Sequence, residues 1–493
     1  MTDSTTPSDP HGRRPVIPPG TPDEDNRDFL PPHLRGTNIV VNENGNNSQP
    51  YPAELVDLTD LIGADTGIAG VAFVPHSARA GRDLPLVISL HGGMMAGWGQ
   101  AVYSSWTLVA EREGFVVVFP DASVGGIWAL SDLPAGLGGE VPGAEDFIPA
   151  VSEENPDEAK LLRLIDAITD VVPVDRARIY VHGMSMGHGM ADQFARHHGH
   201  LLAGVAGSAG ATSPRTLNDE PPQAAVPVWS TQVEFDDVPT FFGTDRLTTL
   251  SANRAAWATV NEVESTIPVV TTDGVDTVLH WRGARADVVL RDVAGRDHGQ
   301  PLDDAEQVWA FFAGLRRGPD GIESTGPNLA GDAVNLIVAD GSRRAILDQQ
   351  LVAMSVAPAR HQSWKYHGLE GNRVLRADFV TLPTEFLAKH FGTRRRVEDA
   401  GASVSFALPD GREVRFARGS VACLIDGRVV AMPVECIERD GDLLVPAAWF
   451  LRTTCGWWTS ERDGVLYATD HWCELSVVAA AVLRDALSTD VTP

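Results

Sequence analysis

The sequence predicts an α/β protein: a mostly parallel sheet covered by helices on both faces, followed by a smaller α+β domain. Two observations support this fold class. Between about residues 65 and 315, short β-branched runs alternate with helical stretches, which is typical of parallel sheets. Beyond residue 331 the chain changes to short apolar runs separated by Asp-Gly pairs, which is typical of β-hairpins.

The elements of the first region follow in order along the chain. Strands are predicted at 84–90, 114–120, 177–183, 226–231 and 286–292, and the first two are continuous apolar runs, as strands buried on both faces should be. Helices are predicted between them, over 105–113, 157–172, 186–196 and 303–315. The alternation indicates crossover connections and therefore an open, mostly parallel sheet.

The length and composition predict more than one domain. A chain of 493 residues is too long for one ordinary domain, and 43% hydrophobic residues with 12 Trp and 17 Phe can build large cores. We predict a disordered Pro-rich tail over 1–35, the α/β domain over 36–315, a Gly- and Pro-rich linker over 316–331 and the α+β domain over 332–493. Within the last domain, FVTLPTEFLAKHFG (379–392) and LLVPAAWFLRTTCG (443–456) share a pattern that predicts a duplicated strand-helix-hairpin unit.

The net charge, the N-terminal sequence and the cysteines limit the partners and the location that we expect. A net charge of −27 argues against nucleic acid and anionic membranes as partners, because both would repel the chain. The N-terminal stretch has no apolar segment of a signal peptide, and no run approaches the roughly 18 apolar residues of a membrane helix, so we expect a cytoplasmic protein. The four cysteines form no CxxC pair, which favours buried reduced thiols over a zinc site, with disulfides as the alternative.

The stretch GMSMG at 183–187 carries the first sign of chemistry. It places Ser185 between a predicted strand and a predicted helix, with a glycine two positions away on each side. On such a sharp turn the backbone of the serine is strained and its hydroxyl points outward, while side chains at the glycine positions would collide. A bare GxSxG is common by chance, but the strand before it and the helix after it favour a nucleophile.

A nucleophilic serine needs a base, and the base needs an orienting acid. In this arrangement both come later in the chain, acid first, each on the loop after a strand. Asp236 and Asp237 follow the strand at 226–231, and His298 follows the strand at 286–292. Singly, each residue is better explained as a solvated loop residue. Their order predicts the triad Ser185, His298 and Asp236, with Asp237 as the alternative acid.

The oxyanion hole is predicted at the end of an early strand. His91-Gly92-Gly93 follows the strand at 84–90, and glycines there let backbone N–H groups approach a carbonyl oxygen. We predict the N–H groups of Met186 and Met94 as donors, with Gly93 as the alternative to Met94. Further pocket candidates are His91, Gly92, Trp98, His182 and His188; the alternative is core packing for Trp98 and a place on the first turn of the helix for His188. His197, His198 and His200 are interpreted as a cationic helix end rather than a metal site, and we expect no metal or other cofactor.

The quoted segments resemble a known family. LPLVISLHGG (84–93), AEREGFVVVFPD (110–121) and VDRARIYVHGMSMG (174–187), with the late His298, resemble the polyhydroxybutyrate-depolymerase-like esterases, the α/β-hydrolase branch that includes feruloyl and acetylxylan esterases. The resemblance covers about 65–315. It implies an α/β-hydrolase fold with an eight-stranded sheet, a Ser-His-Asp triad, no metal, and hydrolysis of a small-molecule or polymeric ester. The family's usual His-Gly before the acid is replaced by Gln232-Val233, and 125–158 is longer than expected, which suggests a lid or pocket insert.

The C-terminal region carries a second resemblance. The segment 414–458 and its surroundings, about 333–472, resemble the copper-amine-oxidase N-terminal-like (stalk) domain. No copper is implied, because the metal of those oxidases belongs to a separate domain. Stalk modules usually accompany exported proteins, so a secreted or cell-surface location, with a cell-surface or protein partner for this module, is the alternative. Two further functions stay open: an inert hydrolase-fold binding or assembly protein, and a serine peptidase or thioesterase.

Overall fold

The computed structural model describes residues 55–80, 82–123, 126–131, 155–236, 245–296, 298–326, 330–367 and 371–488. The predicted tail, Asp237 and most of the predicted insert lie outside these residues. The described residues form two compact units. As far as they are described, the first contains the chain up to Glu264 with Arg282–Leu290 and Arg296–Pro327, and the second contains Ser265–Trp281, Arg291–Gly295 and Asn328–Pro493.

The largest sheet has ten strands in the order β1-β2-β4-β3-β5-β6-β7-β10-β9-β8. Neighbours from β4 through β3, β5 and β6 to β7 are parallel, whereas β2 is antiparallel to β4 and β8 to β9. The strands are β1 Val56–Asp57, β2 Gly70–Phe73, β3 Leu84–Leu90, β4 Val116–Pro120, β5 Val174–Met184, β6 Gly204–Ser208, β7 Val228–Val233, β8 Val269–Asp273, β9 Asp276–Trp281 and β10 Val288–Val293.

The helices of the first unit are α1 Leu58–Ile62, α2 Gly97–Tyr103, α3 Trp106–Glu113, α4 Pro156–Val171, α5 Met186–His198, α6 Pro214–Asp219, α7 Arg246–Val260 and α8 Asp304–Phe312. Each predicted strand and helix of the first region is present within a few residues. A large mixed sheet with helices fits an α/β-hydrolase. The sheet has ten strands instead of eight, and β6, whose sequence is GVAGS, was not predicted because it has a single β-branched residue.

The central strands are buried because their side chains are apolar on both faces. Every residue of β3, β4 and β6 is buried. Helix α4 begins at a side-chain cap in which Asn155 accepts hydrogen bonds from the N–H groups of Asp157 and Glu158, with Pro156 at the first helical position. The carboxyl ends of parallel strands lie at one edge of a sheet. At this edge the loops after β3, β5, β7 and β10 carry the predicted site residues.

The predicted linker differs from the structure over part of its length. Strands β11 Leu315–Gly318 and β12 Gly321–Ser324 form an antiparallel hairpin across a Pro-Asp turn. The Gly-Pro-Asp-Gly sequence that was interpreted as a break is a turn between two paired strands. The predicted domain boundary also differs, because Ser265–Trp281 belongs to the second unit: Thr272 donates its N–H and hydroxyl to the carboxylate of Asp332.

The second unit is mostly β-structure. It contains sheets in the orders β15-β14-β13-β26-β25, β16-β17-β24-β23 and β18-β19-β20-β21-β22. The strands are β13 Asn335–Ala339, β14 Arg344–Leu347, β15 Gln350–Ala353, β16 Ala359–His367, β17 Asn372–Pro383, β18 Thr393–Glu398, β19 Ser403–Ala407, β20 Glu413–Ala417, β21 Ala422–Ile425, β22 Arg428–Ala431, β23 Ile437–Arg439, β24 Asp442–Pro446, β25 Trp458–Arg462 and β26 Val465–Thr469. The α-helices of its described part are α9 Thr384–Phe391, α10 Ala447–Phe450, which continues as a π-helix over Leu451–Cys455, and α11 Val477–Ser488.

The two similar segments of this unit have the same order of elements. Strand β17 leads through Pro383 into α9, and β24 leads through Pro446 into α10, while the two strands pair antiparallel with Leu382 opposite Val445. A hairpin follows each helix, β18–β19 and β25–β26. An internal duplication and the stalk-domain resemblance stay predictions.

All four cysteines are free thiols, three of them buried. None of the described helices is long and apolar enough to cross a membrane.

Candidate active site

Ser185 lies on a strained turn between β5 and α5. Its φ is 55° and its ψ is −118°, a conformation that costs a non-glycine residue roughly 1–3 kcal/mol. The flanking glycines make the turn sterically feasible. A Cβ on Gly183 would lie 1.9 Å from the carbonyl oxygen of Gly187, and a Cβ on Gly187 would lie 2.3 Å from that of Leu90. Both positions therefore require glycine, as the sequence pattern indicated.

The structure brings Ser185, His298 and Asp236 together, although they are far apart in sequence. The Nε2 atom of His298 lies 3.0 Å from the hydroxyl of Ser185, and its Nδ1 lies 2.9 Å from Oδ1 of Asp236. A carboxylate only accepts hydrogen bonds, so Nδ1 carries the proton and Nε2 is the acceptor for the serine hydroxyl. The arrangement has the geometry of an activated nucleophile.

Burial separates the two partners of the imidazole. The Asp236 side chain is fully buried, whereas the His298 side chain is 29% exposed. A buried carboxylate, in surroundings of low dielectric constant, stabilises a neighbouring imidazolium more than a solvent-exposed carboxylate would. The alternative acid, Asp237, lies outside the described residues.

The segment that carries the acid, Val233–Asp236, which we call the acid loop, is held by two contacts that the sequence did not indicate. The N–H of Phe235 donates to the carbonyl of Arg296 at 2.7 Å, which joins the acid loop to the segment just before His298. The guanidinium of Arg246, the first residue of α7, donates to the carbonyls of Val233 and Glu234. An arginine at a helix start gives no sequence signal for this role, because its partners are backbone atoms of another segment.

One predicted oxyanion donor is wrong. The N–H of Met94 donates to the carbonyl of Gly126 at 2.8 Å and is not available to a substrate oxygen. In the described part of the chain, neither Met186 nor Gly93 donates its N–H to a backbone acceptor. The two residues are adjacent, since a Cβ on Gly93 would lie 2.7 Å from the sulfur of Met186. The geometry therefore favours Met186 and Gly93, the alternative, as the donor pair.

The segment His91–Met94, the oxyanion loop, is fixed by His91, which does not line a pocket. The imidazole is fully buried, accepts from the N–H of Ala122 on Nε2 at 3.0 Å, and donates from Nδ1 to the carbonyl of Gly92 at 2.7 Å. Trp128 donates its indole N–H to the His91 carbonyl at 2.8 Å. The predicted pocket role of His91 is wrong, because every polar atom of its ring faces the protein.

Of the other predicted pocket residues, the structure contradicts His182 and places His188 on the first turn of α5. His182 is fully buried beneath the site, so it does not line a pocket. His188 is 8% exposed, its ring lies against Gly207, and burial lowers its pKa to about 4, so the ring is neutral at pH 7. Gly92 lies against the side chain of Met184, and Trp98 is a half-buried residue of α2.

Two of the histidines at the end of α5, His197 and His198, hydrogen-bond one carboxylate. His197 Nδ1 and His198 Nε2 each lie 3.0 Å from Oε2 of Glu158. Burial raises the pKa of Glu158, but the hydrogen bonds from the two histidines outweigh it and lower the pKa to about 2. Among the described residues no group of three or more His, Cys, Asp or Glu is placed to hold a metal ion.

A cavity of about 740 Å³ borders the oxyanion loop. Its walls include Met94, Ser123, Lys160 and Arg163, and neither Ser185 nor His298 is among its lining residues. Lys160 is bonded to Asp157 at 2.8 Å, so its charge is already balanced.

Comparison with known proteins gives limited information. No family model matches the sequence, and no curated protein matches it. Solved structures that are similar include an acetyl xylan esterase from Aspergillus awamori, with 14% identity and a TM-score of 0.40 over 53% of this chain and 99% of that one. Esterase PE8 has 15% identity and a TM-score of 0.33 over 50% and 98%. An S-formylglutathione hydrolase from Staphylococcus aureus has 11% identity and a TM-score of 0.33 over 52% and 96%. At these values no residue role is taken from them.

Proposed function

We propose that this chain is a serine hydrolase that cleaves carboxylic esters through an acyl-enzyme. The observation that carries the proposal is the continuous hydrogen-bonded chain from Ser185 through His298 to Asp236, on a turn that holds the serine in a strained conformation. An inert binding protein would not need both the strain and the alignment. The ester bond, as opposed to an amide or thioester, rests on the sequence resemblance alone.

Each group has a defined role in the proposed reaction. The Ser185 oxygen attacks the ester carbonyl carbon while Nε2 of His298 takes its proton, and Asp236 stabilises the imidazolium that forms. The N–H groups of Met186 and Gly93 donate to the oxyanion of the tetrahedral intermediate, and one such donor is typically worth about 3 kcal/mol. The intermediate collapses as His298 returns the proton to the leaving alcohol. Water then attacks the acyl-serine by the same route and releases the acid.

The test is turnover of a p-nitrophenyl acetate ester by the purified protein and by Ser185→Ala. We expect kcat to fall by about 10⁴-fold or more, because the nucleophile is lost while the fold is kept. Ser265→Ala is the control, since within the described residues that hydroxyl hydrogen-bonds only the backbone of Ile267. Equal rates for the wild type and Ser185→Ala, or no labelling of wild-type Ser185 by a fluorophosphonate, would end the proposal.

The ester type is a finer proposal with its own experiment. We propose a substrate of the kind hydrolysed by polyhydroxybutyrate depolymerases, feruloyl esterases or acetylxylan esterases. Acetyl, feruloyl and hydroxybutyryl esters are compared by kcat/KM, with a thioester and a peptide anilide of the same acyl group in parallel. A preference for the thioester or anilide would replace the esterase assignment with thioesterase or peptidase.

A further inference from the structure

A buried polar cluster joins strands β5, β6 and β7 to the start of α8 and takes no part in the proposed reaction. It consists of Asp304, His182, Ser208 and Thr231, which we call the Asp304 cluster. All four side chains are fully buried. Three of them come from adjacent strands of the sheet, β5, β6 and β7, and the fourth is the first residue of α8.

The carboxylate of Asp304 is the centre of this cluster. Ser208 donates its hydroxyl to Oδ2 at 2.5 Å, and Thr231 donates to Oδ1 at 2.6 Å. His182 approaches Oδ2 with Nε2 at 3.4 Å. The hydroxyls are strong donors to a charged acceptor, and such charge-assisted bonds are about twice as strong as neutral ones.

A tryptophan sets the tautomer of His182. The indole N–H of Trp106 lies 3.1 Å from Nδ1 of His182. An indole nitrogen only donates, so Nδ1 is the acceptor and the proton of the neutral ring is on Nε2, facing Asp304. The N–H of Nε2 is therefore directed at the carboxylate of Asp304 and the hydroxyl oxygen of Ser208, each 3.4 Å away.

The position of Asp304 in the chain links this cluster to catalysis. Asp304 lies six residues after His298, and His182 lies three residues before Ser185. The carboxylate thus joins the strand that carries the proposed nucleophile to the helix that follows the proposed base. Gln300, in the loop between His298 and α8, makes a second contact: its Oε1 accepts a hydrogen bond from Nε2 of Gln100 on α2 at 3.0 Å.

We propose that Asp304 is a positioning residue that holds the loop of His298 in register with Ser185. The inference rests on the proposed function. A buried carboxylate is costly unless it is fully hydrogen-bonded, so its three donors define one location for the start of α8. Without that location the 3.0 Å contact between Nε2 and the serine hydroxyl is lost for much of the time, and a displacement of about 1 Å can reduce turnover roughly 100-fold.

The test is Asp304→Asn, which keeps the shape but replaces one acceptor oxygen by a donor. We expect kcat per active site, titrated with a fluorophosphonate, to fall about 100-fold while KM changes less than about twofold, because the substrate does not touch the cluster. Glu306→Gln is the matched control: it makes the same charge change on the same helix at an exposed ion pair with Arg112. It should keep the wild-type kcat.

A second control separates positioning from stability. Asp192 is a buried carboxylate on α5 that accepts from Thr212 at 2.6 Å, from Trp257 at 2.7 Å and from Arg196 at 3.1 Å, and none of these partners belongs to the described part of the His298 loop. Asp192→Asn should lower Tm but leave kcat per titrated site within about threefold. If Asp304→Asn behaves the same way, Asp304 is only structural and the proposal is wrong.

Two measurements keep the proposal testable if Asp304→Asn does not fold or if the protein is inert. Thr231→Val and Ser208→Ala each remove one bond to Asp304 and should lower kcat per titrated site without changing KM; unchanged kcat in both contradicts the proposal. Independently of turnover, the far-downfield NMR signal of the Nδ1 proton of His298 should broaden in Asp304→Asn or Thr231→Val. An unchanged NMR signal in both variants overturns the inference. A wild-type protein that hydrolyses no ester would instead refute the proposed function.

Discussion

Replacing Asp236 by Asn tests the acid assignment most directly. The change removes a negative charge whose Oδ1 lies 2.9 Å from Nδ1 of His298 and leaves the side-chain shape unchanged. Coulomb's law with an effective dielectric constant of about 20 gives roughly 6 kcal/mol for unit charges at this separation. Since each 1.36 kcal/mol is about tenfold in rate, we expect turnover to fall by roughly 10⁴-fold.

The tautomer of the base contributes in the same direction. If the side-chain NH2 of the Asn donates to Nδ1 of His298, the proton of the neutral ring moves to Nε2. Nε2 can then no longer accept the hydroxyl proton of Ser185. The assay is kcat/KM on a p-nitrophenyl ester, with folding checked by circular dichroism. Asp237→Asn is the control and should keep most of the activity. A loss of less than about tenfold in Asp236→Asn, or a larger loss in Asp237→Asn, would refute this reasoning.

Three further predictions concern the turn, a buried histidine and the acid loop. Gly183→Ala should lower the free energy of unfolding by about 3 kcal/mol or more, because its Cβ would lie 1.9 Å from the carbonyl oxygen of Gly187; Gly189→Ala, which meets only a leucine methyl group at 3.1 Å, should cost little in the same thermal melt. His188 has its pKa lowered to about 4, so the unfolded state binds its proton first as pH falls. Stability should therefore drop between about pH 6.5 and 4 by roughly 2–3 kcal/mol, and His188→Asn should reduce that drop; equal pH dependence of Tm in both proteins contradicts the lowered pKa. Arg246→Gln should reduce kcat about tenfold, because the hydrogen bonds to the carbonyls of Val233 and Glu234 in the acid loop are lost. A kcat equal to that of the wild type would show that the acid loop keeps its position without Arg246.

The elements around the site could be predicted because their signals are local. Continuous apolar runs predicted β3 and β4, and the GMSMG stretch predicted the turn at Ser185, because steric limits on φ and on side chains two residues apart depend only on the neighbouring sequence. Strand β6 was missed for the same reason, since glycine and alanine carry almost no local preference for a strand.

The order of the triad residues also came from the chain itself. A serine, an acid and a histidine on the loops after β5, β7 and β10 can meet at one edge of the sheet, because the carboxyl ends of parallel strands lie on the same side. Their order predicted Ser185, His298 and Asp236 as the triad, with Asp237 as the alternative acid, and the structure brings the first three within hydrogen-bonding reach.

Only the tertiary structure decided how each of the remaining groups is used. The N–H of Met94 bonds Gly126, His91 and His182 are buried as structural residues, and the segment from Ser265 to Trp281 belongs to the second unit. Each of these outcomes depends on which atoms from distant parts of the chain lie within about 3 Å of one another, the range over which a hydrogen bond forms. Sequence periodicity reports burial and direction, but it does not specify a separation that short between segments far apart in the chain.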